Sequence, residues 1–226
     1  MSDKPAQAEL EAEPIEPEGP DDERVEGLDA DSLERRRQAL ALVRKFGDPV
    51  LRSPASPVED FGSELASEAE RMVAIMHDAL GVGLAATQLG VMRRLLVFQA
   101  GPDATPTALV NPEIEWRSDD LETAEEGCLS LPGVVVDVER PLHVRVRGTD
   151  AAGEALRIEA SGLEARVIQH EVDHLDGVLM LDRTLPEQRR GALKALRDGG
   201  SYSPPPADDA NGDSPDHEAA IARGDE

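Results

Sequence analysis

The sequence is poor in cysteine, in aromatic residues and in long apolar runs. Cys128 is the only cysteine, and aromatic residues make up 2% of the 226 positions. One cysteine cannot form an internal disulfide bond, so we expect a reducing compartment. No run of about 18 apolar residues is present, and the acidic N-terminus lacks the apolar segment of a signal peptide. The sequence therefore predicts a cytoplasmic protein with no membrane segment.

Positive charge is also scarce. The chain has 23 Lys and Arg against 47 Asp and Glu, which gives a formal net charge of -24. Phosphate groups repel such a chain, so we expect no direct DNA binding. The ends of the chain are rich in acidic residues and cannot bury enough apolar surface to offset their ordering entropy. We therefore predict a disordered acidic extension over residues 1–38, a folded domain over 39–197 and a disordered acidic tail over 198–226.

Helical patterns occupy three parts of the folded region. Apolar residues recur at helical spacing over residues 63–80, and glycines follow. A second helix is predicted over 161–177, where Ser161 and Glu164 form a capping box and a glycine marks the end. A third helix is predicted over 186–197, with proline at its first position.

Strand patterns lie between the helices. Residues 94–98 and 108–110 are apolar with β character, and Asn111-Pro112 after them indicates a turn. Residues 144–148 and 155–160 are separated by a turn sequence, which predicts an antiparallel hairpin. The sequence therefore predicts an α+β fold with antiparallel or mixed sheets packed around a central helix, followed by a C-terminal helix.

Residues 169–174 (Gln-His-Glu-Val-Asp-His) contain the pattern His-Glu-x-x-His within the second predicted helix. His170 and His174 would lie on one helix face about 6 Å apart, where both can bind one ion. Glu171 would then reach the activated water rather than the metal. A solvated helix face with two surface histidines is the alternative interpretation. The pattern favours a metal site carried by the central helix.

A catalytic site with one ion usually has three protein ligands, and Cys128 is the best candidate for the third. It lies in a predicted loop between glycine and proline, and thiolates bind zinc and iron(II) well. A small buried core residue is the usual alternative for a lone cysteine. A second alternative is a zincin-like metallopeptidase completed by Asp176, Asp182 or Glu187. A third is a non-catalytic binding protein with a structural metal, although no fourth ligand is evident.

A glycine-rich segment, residues 81–88 (Gly-Val-Gly-Leu-Ala-Ala-Thr-Gln), follows the first predicted helix. Its spacing matches neither a dinucleotide fingerprint nor a phosphate loop. By itself it indicates a helix end followed by a tightly packed helix of small residues. Its glycines would also let a peptide backbone approach closely, and Gln88 would then supply an amide donor.

Taken together, residues 81–88, 126–130 (Glu-Gly-Cys-Leu-Ser) and 169–175 closely resemble the three signatures of peptide deformylase in order and separation. The resemblance covers roughly residues 40–197. It implies a metal-dependent hydrolase that removes the formyl group from the N-terminal formyl-methionine of newly synthesised polypeptides and releases formate. It also implies one divalent ion, with iron(II) the first choice and zinc, nickel or cobalt able to occupy the site.

The resemblance further implies a role for each matching residue. The metal ligands would be Cys128, His170 and His174. Glu171 would be the general acid and base, while Gln88 and the backbone N–H of Leu129 would stabilise the oxyanion.

Two further features follow from the resemblance. Arg140 would brace Asp173 and so support the metal-bearing helix. Residues 186–197 resemble the helix by which some deformylases contact the ribosome. The alternative for Arg140 and Asp173 is that each is a surface charge without a partner. The alternative for residues 186–197 is a solvated basic helix face.

A methionine side chain also needs an apolar pocket. Leu163 and Val167 lie on the helix face of His170, and we expect them to line this pocket together with Val82. The backbone of Val82 and Gly83 would pair with the substrate as an added strand. Ordinary core packing is the alternative for these residues.

Overall fold

The computed structural model describes Val25 and residues 27–205. The remaining residues of the predicted extension and tail lie outside this part of the chain. The described residues form four α-helices: α1 (Ala30–Leu42), α2 (Ser63–Asp78), α3 (Leu163–Leu175) and α4 (Pro186–Asp198). They also form seven strands: β1 (Gly83–Ala85), β2 (Leu95–Phe98), β3 (Thr107–Arg117), β4 (Leu121–Cys128), β5 (Leu131–Pro141), β6 (His143–Thr149) and β7 (Ala155–Ser161).

The strands form two antiparallel sheets. One has five strands in the order β1-β2-β3-β6-β7, and the other is the hairpin of β4 and β5. Helix α3 packs against β1, β2 and β7 of the larger sheet and also contacts β5. The predicted α+β fold, with a central helix and a C-terminal helix, is confirmed. Within the described residues, no helix combines the length and the apolar character needed to cross a bilayer.

Both faces of the larger sheet are buried near β2, which explains the continuous apolar run there. Leu95 and Val97 pack into a cluster with α2, whereas Leu96 and Phe98 pack into a cluster with α3. Side chains alternate between the faces of a strand, so a strand covered on both sides is apolar at every position. This packing holds α3 against one face of the sheet.

Helix α3 begins differently from the sequence prediction. Its N-cap is Gly162, with a φ of 56°, and no side chain caps it. Ser161 is the last residue of β7, and its Oγ forms a hydrogen bond with Nδ1 of His143 at 2.8 Å. The predicted capping box is therefore wrong, because Ser161 belongs to strand β7 and its hydroxyl bonds to His143 of β6. At the other end the predicted stop is present, since Gly177 has a φ of 73° just beyond the helix.

Ordered structure reaches into both predicted disordered segments. Helix α1 begins within residues 1–38 because Asp29 accepts a hydrogen bond from the Ser32 N–H at 2.7 Å and caps the helix. Beyond α4, the Tyr202 N–H donates to the Gly133 carbonyl at 2.9 Å, and the Val135 N–H donates to the Tyr202 carbonyl at 2.8 Å. Residues 30–38 are thus helical, and Tyr202 pairs with β5.

Two local predictions between the helices were wrong. Strand β3 continues through Asn111, which has a φ of 49° and exchanges two hydrogen bonds of 2.8 Å with the backbone of Val58. Asn111 therefore lies at a shift in strand register and not in the predicted turn, because the distant backbone of Val58 bonds its side-chain amide. Residues 83–85 form β1 and Ala86–Leu89 a 3₁₀ helix, where a packed helix of small residues was predicted.

Candidate metal centre and active site

Three potential ligand atoms converge between α3 and the end of β4. Cys128 is the last residue of β4 rather than part of a loop, and its Sγ lies 3.2 Å from Nε2 of His174. One ligand atom from each of Cys128, His170 and His174 lies within 4.8 Å of the others. Such spacing suits three ligands around one ion. The structure thus brings together the trio that the sequence indicated.

The three side chains of this trio strongly influence one another's protonation. Burial acts to raise the pKa of Cys128, but the imidazoles of His174 and His170 outweigh it and hold that pKa well below its usual range. Burial likewise acts to lower the pKa of His170, but hydrogen bonds with Cys128 and Glu126 hold it well above its usual range. A thiolate beside two imidazoles is a donor set that zinc and iron(II) accept.

The carboxylates of the zincin alternative lie elsewhere. Asp176 forms an ion pair with Arg94 at 2.6 Å, and Asp182 forms one with Arg52. The described cluster of potential ligands consists of Cys128 and the two histidines, with neither aspartate nor Glu187 among its members. The structure therefore favours sulfur over a downstream carboxylate as the third ligand.

Glu126 orients His170 and was missed by reasoning from the sequence. Its Oε2 forms a hydrogen bond with Nδ1 of His170 at 2.9 Å, which leaves Nε2 of the ring for an ion. A carboxylate on the second ring nitrogen sets the orientation of a metal-binding histidine. Burial acts to raise the pKa of Glu126, but Arg140 and His170 outweigh it and hold the pKa well below its usual range. Strand alternation was an available signal, since Glu126 and Cys128 are two residues apart on one strand.

Buried arginines connect β4 and β5 to α3. Nε and Nη2 of Arg140 donate to Glu126 at 2.6 and 2.9 Å, and Nη1 donates to Asp173 at 2.9 Å. The predicted contact between Arg140 and Asp173 is present. Arg166, which had no predicted role, donates to Glu126 at 2.9 Å and to the carbonyl of Val138 at 2.8 Å. These bonds hold the Glu126 carboxylate next to His170.

Glu171 is buried beside the trio, and its Oε2 has no hydrogen-bond partner within the described residues. Burial raises the pKa of Glu171, against the opposing effect of His170 and His174. Gly83 lies directly against this side chain. A Cβ at position 83 would lie 2.9 Å from both Cγ and Cδ of Glu171. The carboxyl group is therefore desolvated and occupies space that glycine leaves open.

Gln88 has a fixed orientation toward the sulfur. Its Oε1 accepts a hydrogen bond from the Ala85 N–H at 2.9 Å. Its Nε2 lies 3.2 Å from Oγ of Ser130 and 3.6 Å from Sγ of Cys128. Because the carbonyl oxygen is engaged on one side, the amide N–H donors face the trio.

A cleft of about 480 Å³ opens over these groups. Its lining includes all four residues predicted to bind substrate, namely Val82, Gly83, Leu163 and Val167. Val167 is buried, whereas Leu163 and Val82 are exposed, at 54% and 37%. Apolar groups around a concave polar site are typical of ligand pockets. Leu40, Lys45 and Arg166 also line the cleft and were not predicted to do so.

Comparison with known proteins identifies the family. The family model of polypeptide deformylase matches residues 40–190. The peptide deformylase of Acidothermus cellulolyticus is 46% identical over 160 residues, which cover 71% of this chain and 87% of that protein. The peptide deformylase of Thermotoga neapolitana is 47% identical over 156 residues, which cover 69% of this chain and 94% of that protein.

Solved structures show the same relationship. The crystal structure of the Thermotoga maritima peptide deformylase has a TM-score of 0.62 and 46% identity, over 64% of this chain and 97% of that one. The Synechococcus elongatus peptide deformylase in complex with actinonin has a TM-score of 0.66 and 43% identity, over 70% of this chain and 88% of that one. The resemblance found in the sequence is confirmed. This chain belongs to the polypeptide deformylase family, the metal-dependent hydrolases that remove the formyl group from the N-terminus of newly made polypeptides.

Proposed function

We propose that Cys128, His170 and His174 bind the single divalent ion of this deformylase. The proximity of the three ligand atoms and the lowered pKa of Cys128 support this assignment. Iron(II) is the ion that we propose, and zinc, nickel and cobalt suit the same donors. When bound, the ion polarises the formyl carbonyl and lowers the pKa of water.

The metal assignment can be tested with Cys128→Ser. Metal content should be measured by mass spectrometry on protein purified without added metal and without oxygen. We expect wild-type protein to carry about one equivalent of iron and Cys128→Ser to lose it, because a neutral hydroxyl replaces a thiolate. Wild-type metal content in Cys128→Ser would instead support the zincin-like arrangement.

Glu171 moves the protons in the proposed mechanism. Its carboxylate accepts a proton from the attacking water, and the carboxylic acid then donates a proton to the leaving amine. Burial, the unpartnered Oε2 and the raised pKa support this role, because a carboxylate with a raised pKa accepts a proton more readily than an ordinary one. After both proton transfers, Glu171 is again a carboxylate.

Gln88 and the backbone N–H of Leu129 stabilise the charge that develops on the formyl oxygen. Hydrogen-bond donors held in place before the reaction contribute most at that stage. The fixed amide of Gln88 supports its part, since its N–H donors face Cys128. The position of Leu129 immediately after Cys128 supports the other part.

The methionine side chain of the substrate occupies the part of the cleft lined by Leu163, Val167 and Val82, and the peptide backbone pairs with Gly83 as an added strand. The lining of the cleft supports this arrangement. Leu163→Trp should lower kcat/KM for a formyl-methionyl peptide much more than for a formyl-glycyl peptide. Equal losses for both peptides, or a lower unfolding temperature, would refute the pocket.

The observation that carries the mechanism is the burial of Glu171 beside three converging ligands. The test is formate release from a formyl-Met-Ala-Ser peptide by Glu171→Gln, with Glu164→Gln on the same helix as the control. We expect Glu171→Gln to lose about 10²- to 10⁴-fold in kcat while keeping its metal. Glu164→Gln should match wild type. Full activity of Glu171→Gln would refute the assignment.

We also propose a cytoplasmic location, where newly made formylated chains are available.

A ribosome contact through residues 186–197 would use the basic side chains of α4, but acidic partners neutralise part of their charge. Arg189 pairs with Asp182 at 3.4 Å, and Lys194 pairs with Asp198 at 2.7 Å. Sedimentation with ribosomes, with and without α4 charge reversals, tests the contact.

A further inference from the structure

We propose that Lys45 is a positioning residue for deformylation, because its ammonium group bonds the carbonyl of Leu129 and so holds the backbone of the residue whose N–H is the proposed oxyanion donor. The inference rests on the oxyanion role proposed above for Gln88 and the Leu129 N–H. It adds a residue that lies outside all three sequence motifs.

A three-residue segment after α1 bonds the backbone carbonyls of both residues that supply the proposed oxyanion donors. The Arg44 N–H donates to the carbonyl of Gln88 at 2.7 Å, and Nζ of Lys45 donates to the carbonyl of Leu129 at 2.9 Å. The Phe46 N–H donates to the carbonyl of Ser130 at 2.8 Å. Residues 44–46 therefore connect the 3₁₀ helix that carries Gln88 to the tip of the β4–β5 hairpin.

The hairpin tip depends on contacts from outside its own ladder. Gly127 pairs with Val135 but Cys128 pairs with Leu131, so the register shifts between these two residues. Leu129 and its neighbour lie in the connection that follows, beyond the paired residues. The ladder therefore does not fix the backbone at Leu129, and the bonds from Lys45 and Phe46 to the carbonyls of Leu129 and Ser130 supply the missing constraint.

Of these three bonds, the bond from Lys45 comes from a side chain and can therefore be removed by a substitution. The other two bonds use backbone N–H groups, as does the proposed oxyanion donor at Leu129. A bond from an ammonium group to a carbonyl is charge-assisted and stronger than a neutral one. Lys45 also lines the cleft, so a direct contact with the bound peptide is the competing explanation.

The experiment compares Lys45→Met, which keeps an unbranched side chain without the donor, and Lys45→Arg, which restores a cationic donor. Arg37→Met is the control, since it removes an exposed charge from α1 whose ion pair with Glu34 stays within that helix. Formate release from formyl-Met-Ala-Ser is measured on metal-loaded protein, together with metal content and unfolding temperature.

We expect Lys45→Met to lose on the order of ten-fold in kcat, a part of the 10²- to 10³-fold effect of deleting an oxyanion donor. KM should change by less than about two-fold, because the lost interaction acts in the transition state. Metal content and unfolding temperature should match wild type. Lys45→Arg should recover at least about half of kcat, and Arg37→Met should equal wild type.

Several results would overturn the proposal. A raised KM with wild-type kcat would assign Lys45 to peptide binding, and loss of metal or of the fold would assign it to stability. Gln88→Ala distinguishes a failure of the Lys45 proposal from a failure of the oxyanion assignment on which it rests. If Gln88→Ala loses kcat and Lys45→Met does not, only the role of Lys45 is wrong, whereas wild-type kcat in Gln88→Ala would refute the oxyanion assignment itself.

Discussion

Gly83→Ala should disable catalysis while leaving the metal ligands in place. The new Cβ would lie 2.9 Å from two carbon atoms of Glu171, closer than the 3.0 Å below which real Cβ atoms essentially never approach a neighbour. The backbone cannot recede easily, because Gly83 pairs with Phe98 on β2 and α3 packs against β1. The carboxyl group of Glu171 must therefore move.

The size of the effect follows from that displacement. A shift of about 1 Å in a catalytic group costs about 100-fold in rate, equivalent to about 2.7 kcal/mol in the activation free energy. We expect kcat for formate release to fall by that factor, with one equivalent of metal retained. A coupled formate dehydrogenase assay and metal analysis on the same sample measure both quantities.

Gly62→Ala is the matched control for this substitution. Its Cβ would meet nothing within 4 Å, and its φ of -170° is open to any residue. Its kcat should equal that of wild type. If Gly83→Ala keeps more than half of wild-type kcat, the argument from the close approach is wrong. If it loses metal, the perturbation acts on the ligands and not on Glu171.

The remaining predictions concern stability. Arg140→Ala should lower the free energy of unfolding in urea by about 1 to 3 kcal/mol, because two buried carboxylates each lose a partner although Glu126 keeps Arg166 and Asp173 keeps Arg183; no loss would contradict this. Tyr202→Ala should lower it by roughly 1 to 3 kcal/mol, because the ring packs against α4, and no change would contradict this packing. Burial acts to raise the pKa of Asp182, but a backbone N–H and Arg52 outweigh it and hold that pKa below its ordinary 3.8. The wild-type protein should therefore be more stable than Asp182→Asn above pH 3.8, and this difference in stability should shrink as the pH falls below that value. An advantage that grows in acid would reverse the sign of this argument.

The parts of the site that come from one stretch of chain were predictable. His170 and His174 share a helix face because they are four residues apart, and Glu171 follows from the same short pattern. The hairpin of β6 and β7 and the helix from Pro186 were predictable for the same reason, since each depends on periodicity and a local turn or start signal.

Predictions failed where a distant segment competed for a local group. Ser161 has the chemistry of an N-cap, but it is paired in β7. Asn111 has the chemistry of a turn residue, but its amide bonds to Val58, far away in the chain. Propensity describes the preference of an isolated segment, and these contacts exist only after folding.

By itself, the sequence determined the helix that carries two imidazoles and a glutamate, the candidate sulfur, and the family to which the chain belongs. Only the tertiary structure decided that Glu126 orients His170, that Gly83 leaves room for Glu171, and that Lys45 reaches the carbonyl of Leu129. The physical reason is distance along the chain. Each of these contacts joins residues more than 40 positions apart, which periodicity within one element cannot relate.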